Sequence, residues 1–227
     1  MLQQRLTYRY VIMGNPKICV VDYGLGNLLS VMSAAQKCGA DTLCSSEPDK
    51  IIQCDKIILP GVGAFNAGMK ALNMLGLVDV IRHAEKIGIP ILGICLGMQL
   101  LFDKGEEFGS TKGLSLMEGS VVPIPATNNL GERIKVPHIG WNSLIETDRT
   151  WENTILRGYE PSNSVYFVHS FVAEPKYQDY SIANFRYANM KFPACVQKGN
   201  VYGCQFHPEK SGETGLKILR NFISQTK

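Results

Sequence analysis

Histidine and tryptophan are scarce in this 227-residue chain, with four of the first and two of the second. The four histidines, His83, His138, His169 and His207, stand alone. No Cys/His cluster has zinc spacing, so neither a metal nor another cofactor is expected. Long apolar runs are missing too. Nothing approaches the roughly 20 residues that span a bilayer, and no membrane association is expected. Charge is not concentrated in one sign: 23 Lys+Arg against 20 Asp+Glu leave a formal net charge of +3. The basic residues are scattered, which argues against nucleic acid and anionic membranes as partners. Seven cysteines, odd in number and without paired or CxxC spacing, argue against a disulfide scaffold and for a reducing compartment. Residues Met1 to Pro16 lack the apolar core and small-residue cleavage site of a secretory signal. The expectation is a cytoplasmic protein in which residues 1–16 form a small, disordered extension ahead of one domain over residues 17–227. Internal repeats and low-complexity tracts are absent.

What is present is an alternation of apolar strands and amphipathic helices. With 45% hydrophobic residues the chain can bury a large core. Ile18–Val21, Asp41–Ser45, Lys56–Pro60 and Ile89–Ile94 read as strands. Asn27–Cys38, Phe65–Met74 and Leu77–Lys86 read as helices, the first with Leu28, Val31, Met32 and Ala35 on one face. Such alternation predicts a mostly parallel open sheet with helices on both faces. After about Gly105 the pattern changes to short β-like runs at Ser120–Ile124, Ser143–Glu146, Val165–Val172, Ser181–Tyr187, Ala194–Gln197 and Val201–Phe206. They predict a smaller antiparallel β extension packed onto the parallel core, closed by a helix over Gly212–Gln225. The fold class is therefore α/β. Gly24-Leu25-Gly26 is half of a dinucleotide fingerprint, but position 29 is Leu and no acidic ribose partner follows, so a tight turn is the better reading.

Chemistry concentrates in two places. In Gly93-Ile94-Cys95-Leu96-Gly97 an apolar strand turns into a helix near Leu96, with Cys95 at the junction between glycines. That is the pattern of a nucleophile elbow with sulfur in place of oxygen. Glycines let the backbone turn sharply, and helix-start amides favour a thiolate. More than a hundred residues later, His207-Pro208-Glu209 supplies an imidazole to take the thiol's proton and a carboxylate to hold the ring. Each residue alone has a structural reading: Cys95 as a small buried hydrophobe, His207 as a satisfied histidine, Glu209 as a surface carboxylate. Placed together at strand ends, where open α/β sheets bind ligands, they make a covalent-catalysis set. Cys19, Cys38, Cys44, Cys54, Cys195 and Cys204 have no such context and are expected to be small buried hydrophobes.

Gly-Ile-Cys-Leu-Gly-Met-Gln at 93–99, Pro-Gly-Val-Gly at 60–63 and Gln-Phe-His-Pro-Glu-Lys-Ser at 205–211 resemble the triad-type, class I glutamine amidotransferase domain. The segments Asp22–Asn27, Val136–Asn142 and Tyr166–Ser170 resemble its branch of glutaminase subunits of imidazole glycerol phosphate synthase, from about Lys17 to the C-terminus. The resemblance implies a class I glutamine amidotransferase-like fold. It also implies hydrolysis of glutamine to glutamate and ammonia through a γ-glutamyl thioester on Cys95, with His207 and Glu209 completing the triad. It assigns the oxyanion-hole amides to Leu96 and Val62, and glutamine contacts to Gly61, Gly63, Gln99 and the backbone around Ser170 and Phe171. Phe171 departs from the family's more frequent Tyr. The Pro60–Gly63 segment has two readings: a plain strand-end turn, or a peptide at Val62 that swings to complete the site when a partner acts. That partner, by resemblance, is a separate (β/α)8-barrel cyclase in a heterodimer. It would use the ammonia to make imidazole glycerol phosphate and an aminoimidazole carboxamide ribotide in histidine biosynthesis. Trp141, Asn142, Tyr166 and Lys210 are candidate interface residues. Three other readings stay open: a paralogous glutaminase feeding a surface-sugar amidination synthase, a Cys-dependent ester or lactone hydrolase, and a catalytically silent regulatory module.

Overall fold

A computed structural model describes residues 14–224, so the expected extension over residues 1–16 falls almost wholly outside the described residues. The first half follows the alternation read from the sequence: β1 (Lys17–Val21), α1 (Leu28–Lys37), β2 (Asp41–Ser45), α2 (Pro48–Ile52), β3 (Lys56–Gly61), α3 (Phe65–Met74), α4 (Leu77–Lys86), β4 (Ile91–Cys95) and α5 (Leu96–Leu100). The short α2, opened by a proline at its first turn, was not expected; five residues are too few to show a helical period. Asn27 caps α1, its side chain accepting from the Ser30 amide.

The second half comprises β5 (Phe102–Gly105), β6 (Thr111–Lys112), β7 (Met117–Pro123), β8 (His138–Asn142), β9 (Ile145–Glu146), β10 (Val165–His169), β11 (Phe171–Pro175), β12 (Ser181–Tyr187), β13 (Met190–Lys198), β14 (Val201–Cys204) and α6 (Gly212–Ser224). One eight-stranded sheet runs β2-β1-β3-β4-β14-β13-β12-β9. Its strands pair parallel from β2 to β14 and antiparallel from β14 to β9. The expected smaller antiparallel β extension is present, with β13, β12 and β9 continuing the main sheet edge to edge through β14. Two smaller sheets lie beside it, β10-β8 and β11-β7-β5-β6. The run expected as one strand over Val165–Val172 breaks at Ser170, and its halves enter different small sheets. That break opens space above Cys95.

Alternate residues of each central strand enter opposite cores, as the two-residue period of a strand demands. Ile18, Val20, Ile58, Leu92 and Ile94 meet Val31 and Ala35 of α1 and Leu219 and Phe222 of α6. Cys19, Val21, Ile57, Leu59 and Ile91 meet Phe65 and Leu72 of α3, Leu77 and Ile81 of α4, and Leu96 and Leu100 of α5. Helices thus cover both faces, and β4 is buried along its whole length. Of the cysteines expected to be buried, Cys38 and Cys44 are only half-buried; all seven are free thiols. Among the described residues no helix is long and apolar enough to cross a membrane.

Candidate active site

Cys95 ends β4 with φ 53° and ψ −111°, a conformation outside the usual non-glycine regions. Close backbone packing holds the elbow in that strained shape. A Cβ on Gly97 would lie 1.8 Å from the Leu59 carbonyl oxygen of β3, and one on Gly93 would lie 2.6 Å from the Gly97 oxygen. Only glycine at both positions lets β3, β4 and α5 approach this closely. Gly61 serves the same purpose: a Cβ there would meet the Tyr23 hydroxyl at 2.3 Å. Gly61, expected to contact substrate, sits beside Cys95 as its partner across β3 and β4 and is not among the residues lining the cleft. The Gly24–Gly26 segment, with φ of 82° and 145° at its glycines, forms the tight turn expected there.

The cleft above Cys95 has a volume of about 350 Å³. Val62, Gly63, Cys95, Leu96 and Gln99 form one wall, Val168, His169, Ser170 and Phe171 the other, with Glu107 and Pro137 at the rim. Gly63 holds φ at 109°, within the range that favours glycine. Gln99 is buried, and its Nε2 donates to the Phe171 carbonyl at 3.1 Å. The Phe171 carbonyl, which also accepts from His169 Nδ1, is thus tied to Gln99 through backbone and not through its side chain.

His207 follows β14 and is only 2% exposed. Its backbone amide donates to the Tyr166 carbonyl at 2.9 Å, and its own carbonyl accepts from Ser211 at 2.7 Å. These two bonds fix the loop in which the ring sits. Nδ1 donates to Glu209 Oε1 at 2.8 Å, with both side chains almost wholly buried. Nε2 is buried and has no partner in good hydrogen-bond geometry, which leaves it free for a reacting group. Burial pushes the imidazole pKa down. The nearby Cys95 sulfur and the Glu209 carboxylate that holds Nδ1 outweigh it and lift the pKa to about 9. Sulfur, imidazole and carboxylate, far apart along the chain, are thus close enough to act on one another, with Cys95 lining the cleft and His207 and Glu209 buried behind it.

Two of the interface candidates, Trp141 and Tyr166, meet on one face. Trp141 on β8 is 56% exposed and pairs across the strands with Tyr166 on β10, ring centroids 5.7 Å apart. Lys210 is exposed. Asn142 differs: its amide is occupied internally, donating to the Arg186 carbonyl at 2.8 Å and facing His138 Nε2 at 2.9 Å. Sequence reasoning missed His138, His169 and Gln205. His169 faces His138 at 3.0 Å and donates from Nδ1 to the Phe171 carbonyl at 2.9 Å. Burial, with His138 and His207 adding to it, depresses the His169 pKa to about 4, so its ring is neutral. The motifs at Val136–Asn142 and Tyr166–Ser170 contained these histidines, but nothing in their spacing marks them as a pair.

Residues 19–226 match the family model described as "Glutamine amidotransferase class-I". The chain is 45% identical over 208 residues to "Imidazole glycerol phosphate synthase subunit HisH 1" of Legionella pneumophila strain Lens, covering 91% of this chain and 98% of the relative. It is 47% identical over 206 residues to "Imidazole glycerol phosphate synthase subunit HisH" of Geobacillus kaustophilus strain HTA426, covering 91% and 95%. In fold it is similar to the solved "Structure of PurLQS from Thermotoga maritima", with a TM-score of 0.69 over 92% of this chain and 98% of that one at 21% identity. The chain belongs to the class-I glutamine amidotransferases and, within them, to the HisH subunits of imidazole glycerol phosphate synthase.

Proposed function

We propose that the chain is the glutaminase half of a two-subunit synthase, with Cys95 as nucleophile, His207 as acid and base, and Glu209 as the group that orients and charges His207. The observation that carries this reading is a strained Cys95 elbow facing an imidazole whose Nε2 is free and whose Nδ1 is held by a buried carboxylate. The Cys95 thiolate attacks the side-chain amide carbon of glutamine. The carbonyl oxygen becomes an oxyanion, received by the Leu96 amide at the start of α5 and the Val62 amide across the cleft. His207 gives its proton to the leaving nitrogen, ammonia departs, and a γ-glutamyl thioester remains. His207, now neutral, takes a proton from water, and the hydroxide releases glutamate from sulfur. Gly63, Gln99 and the Ser170–Phe171 backbone hold the amino-acid head of the substrate.

Ammonia released into neutral water would be protonated and lose its nucleophilicity, so the product passes directly to a second active site. That site belongs to a (β/α)8-barrel cyclase subunit joined in a heterodimer, producing imidazole glycerol phosphate and an aminoimidazole carboxamide ribotide in histidine biosynthesis. The exposed Trp141, with Tyr166 and Lys210, gives the docking face an aromatic anchor. The names of relatives at 45–47% identity support this pathway over surface-sugar amidination. The Val62 peptide, flanked by two glycines, is the element the partner switches. Free thiols throughout fit work in the cytoplasm. The test is glutamine hydrolysis with and without the co-purified synthase subunit. Partner-stimulated turnover is expected; equal rates would remove the switch, and no turnover under either condition would remove the function.

A further inference from the structure

Gln205 is completely buried, takes no part in the mechanism above, and lies against two residues that do. The direction of its amide follows from one atom that can only accept. The Phe171 carbonyl receives Gln99 at 3.1 Å, so the Gln99 atom facing it is the NH2 nitrogen. That nitrogen sends its other proton to Gln205 at 3.1 Å, so Gln205 presents its oxygen to Gln99. The NH2 of Gln205 is then left facing the Cys95 sulfur at 3.9 Å. The sulfur meets an acceptor on another side, the Val168 carbonyl at 3.7 Å. A neutral thiol is satisfied by donating to Val168. An ionised one is repelled there and gains the Gln205 donor.

We infer that Gln205 is a positioning residue for the glutaminase reaction: its side-chain amide, aligned through Gln99 by the Phe171 carbonyl, supplies a hydrogen bond to the ionised Cys95 and so favours the thiolate. Because both protons of the Gln99 NH2 are used, its oxygen is the atom left for the ammonium of an amino acid in the cleft. The same chain thus ties the polarity of the substrate pocket to the charge on the nucleophile. The inference rests on Cys95 being the nucleophile. The titratable groups around the sulfur, among the described residues, are His207 with Glu209, Tyr23 beside the elbow, His169 across the cleft and Glu107 at its rim. Gln205 adds a fixed dipole that does not itself titrate.

The test is the pH profile of Cys95 alkylation by iodoacetamide, read by peptide mass in the full chain bound to its synthase subunit, for wild type, Gln205→Met and Gln205→Glu. Met keeps the length and removes the donor. Glu keeps an acceptor for Gln99 and turns an oxygen toward the sulfur. Alkylation of Cys95 near pH 7 is expected to be about tenfold slower in Met and slower still in Glu. Unchanged profiles in folded, partner-bound variants would overturn the inference. If both variants fail to fold, side-chain amide NMR of the wild type decides it: the Gln205 NH2 signals should move as Cys95 ionises, and static signals would overturn the proposal. A wild type that hydrolyses glutamine yet shows no effect of Gln205 sinks this inference alone. Glutamine turnover that persists in Cys95→Ala sinks the functional reading beneath it.

Discussion

Replacing Glu209 by Gln removes the charge beside His207 and leaves the shape of the site. His207 is lifted from its ordinary 6.5 to about 9, a preference for the imidazolium worth about 3 kcal/mol at about 1.4 kcal/mol per pH unit. Burial works against that preference, and the Cys95 sulfur and Glu209 supply it together. The amide oxygen of Gln can still accept from Nδ1, so the ring keeps its place while the stabilising charge is lost. The His207 pKa should fall by roughly one to two units, toward the value that burial alone would depress. Because the folded pKa lies above the unfolded one, stabilisation by His207 is fully present below about pH 6.5 and is lost as the pH rises through about 9. Wild-type stability should therefore decline between those limits, and the decline should shrink in Glu209→Gln. The assay is NMR titration of the His207 ring, with urea unfolding at pH 6 and pH 9. A His207 midpoint that does not move in the variant would refute the assignment of Glu209 as the group that charges the ring.

Other outcomes follow from the same geometry. Gly97→Ala sets a methyl 1.8 Å from the Leu59 carbonyl and must push α5 away from β3, so it should cost roughly 4 kcal/mol or more, seen as a large drop in urea midpoint. Adding a methyl at Gly24, where no atom lies within 4 Å, meets only the strain of a positive φ and should cost about 1 kcal/mol in the same measurement. Trp141→Ala should weaken binding to the synthase subunit by about 2 kcal/mol, near thirtyfold in Kd by calorimetry, while alkylation of Cys95 in the isolated chain stays unchanged.

The parallel half of the sheet was legible, apart from the five-residue α2, because its longer helices show their period and its strands are short apolar runs. Val31 and Ala35 on one helical face, and the continuous run Ile91–Cys95 buried on both faces, leave few other readings. The elbow and triad were legible because glycine bracketing and the His-Pro-Glu motif are local. The later strands were harder: β6 and β9 have two residues each, and β8 carries glycine and polar side chains at its alternate positions. The break at Ser170 has no signature in an otherwise apolar run, although it opens the cleft. Gln205 illustrates the deeper limit. Its partners Gln99 and Cys95 lie 106 and 110 residues away, and a buried amide shows its meaning only once the fold has chosen its neighbours. Gly61, read as a substrate contact, has a packing reason to be glycine that the motif did not reveal: the Tyr23 hydroxyl lies where a Cβ would be.

The central claim is that glutamine becomes covalently attached to Cys95. It is tested most directly by mixing the synthase-bound protein with glutamine, quenching in acid within the turnover time, and mapping the mass of every cysteine-containing peptide. A γ-glutamyl adduct on the Cys95 peptide alone, absent in Cys95→Ala, whose complex still uses added ammonium salts, is the expected result. Glutamine turnover that survives in Cys95→Ala, or an adduct on any of the other six cysteines, would contradict it.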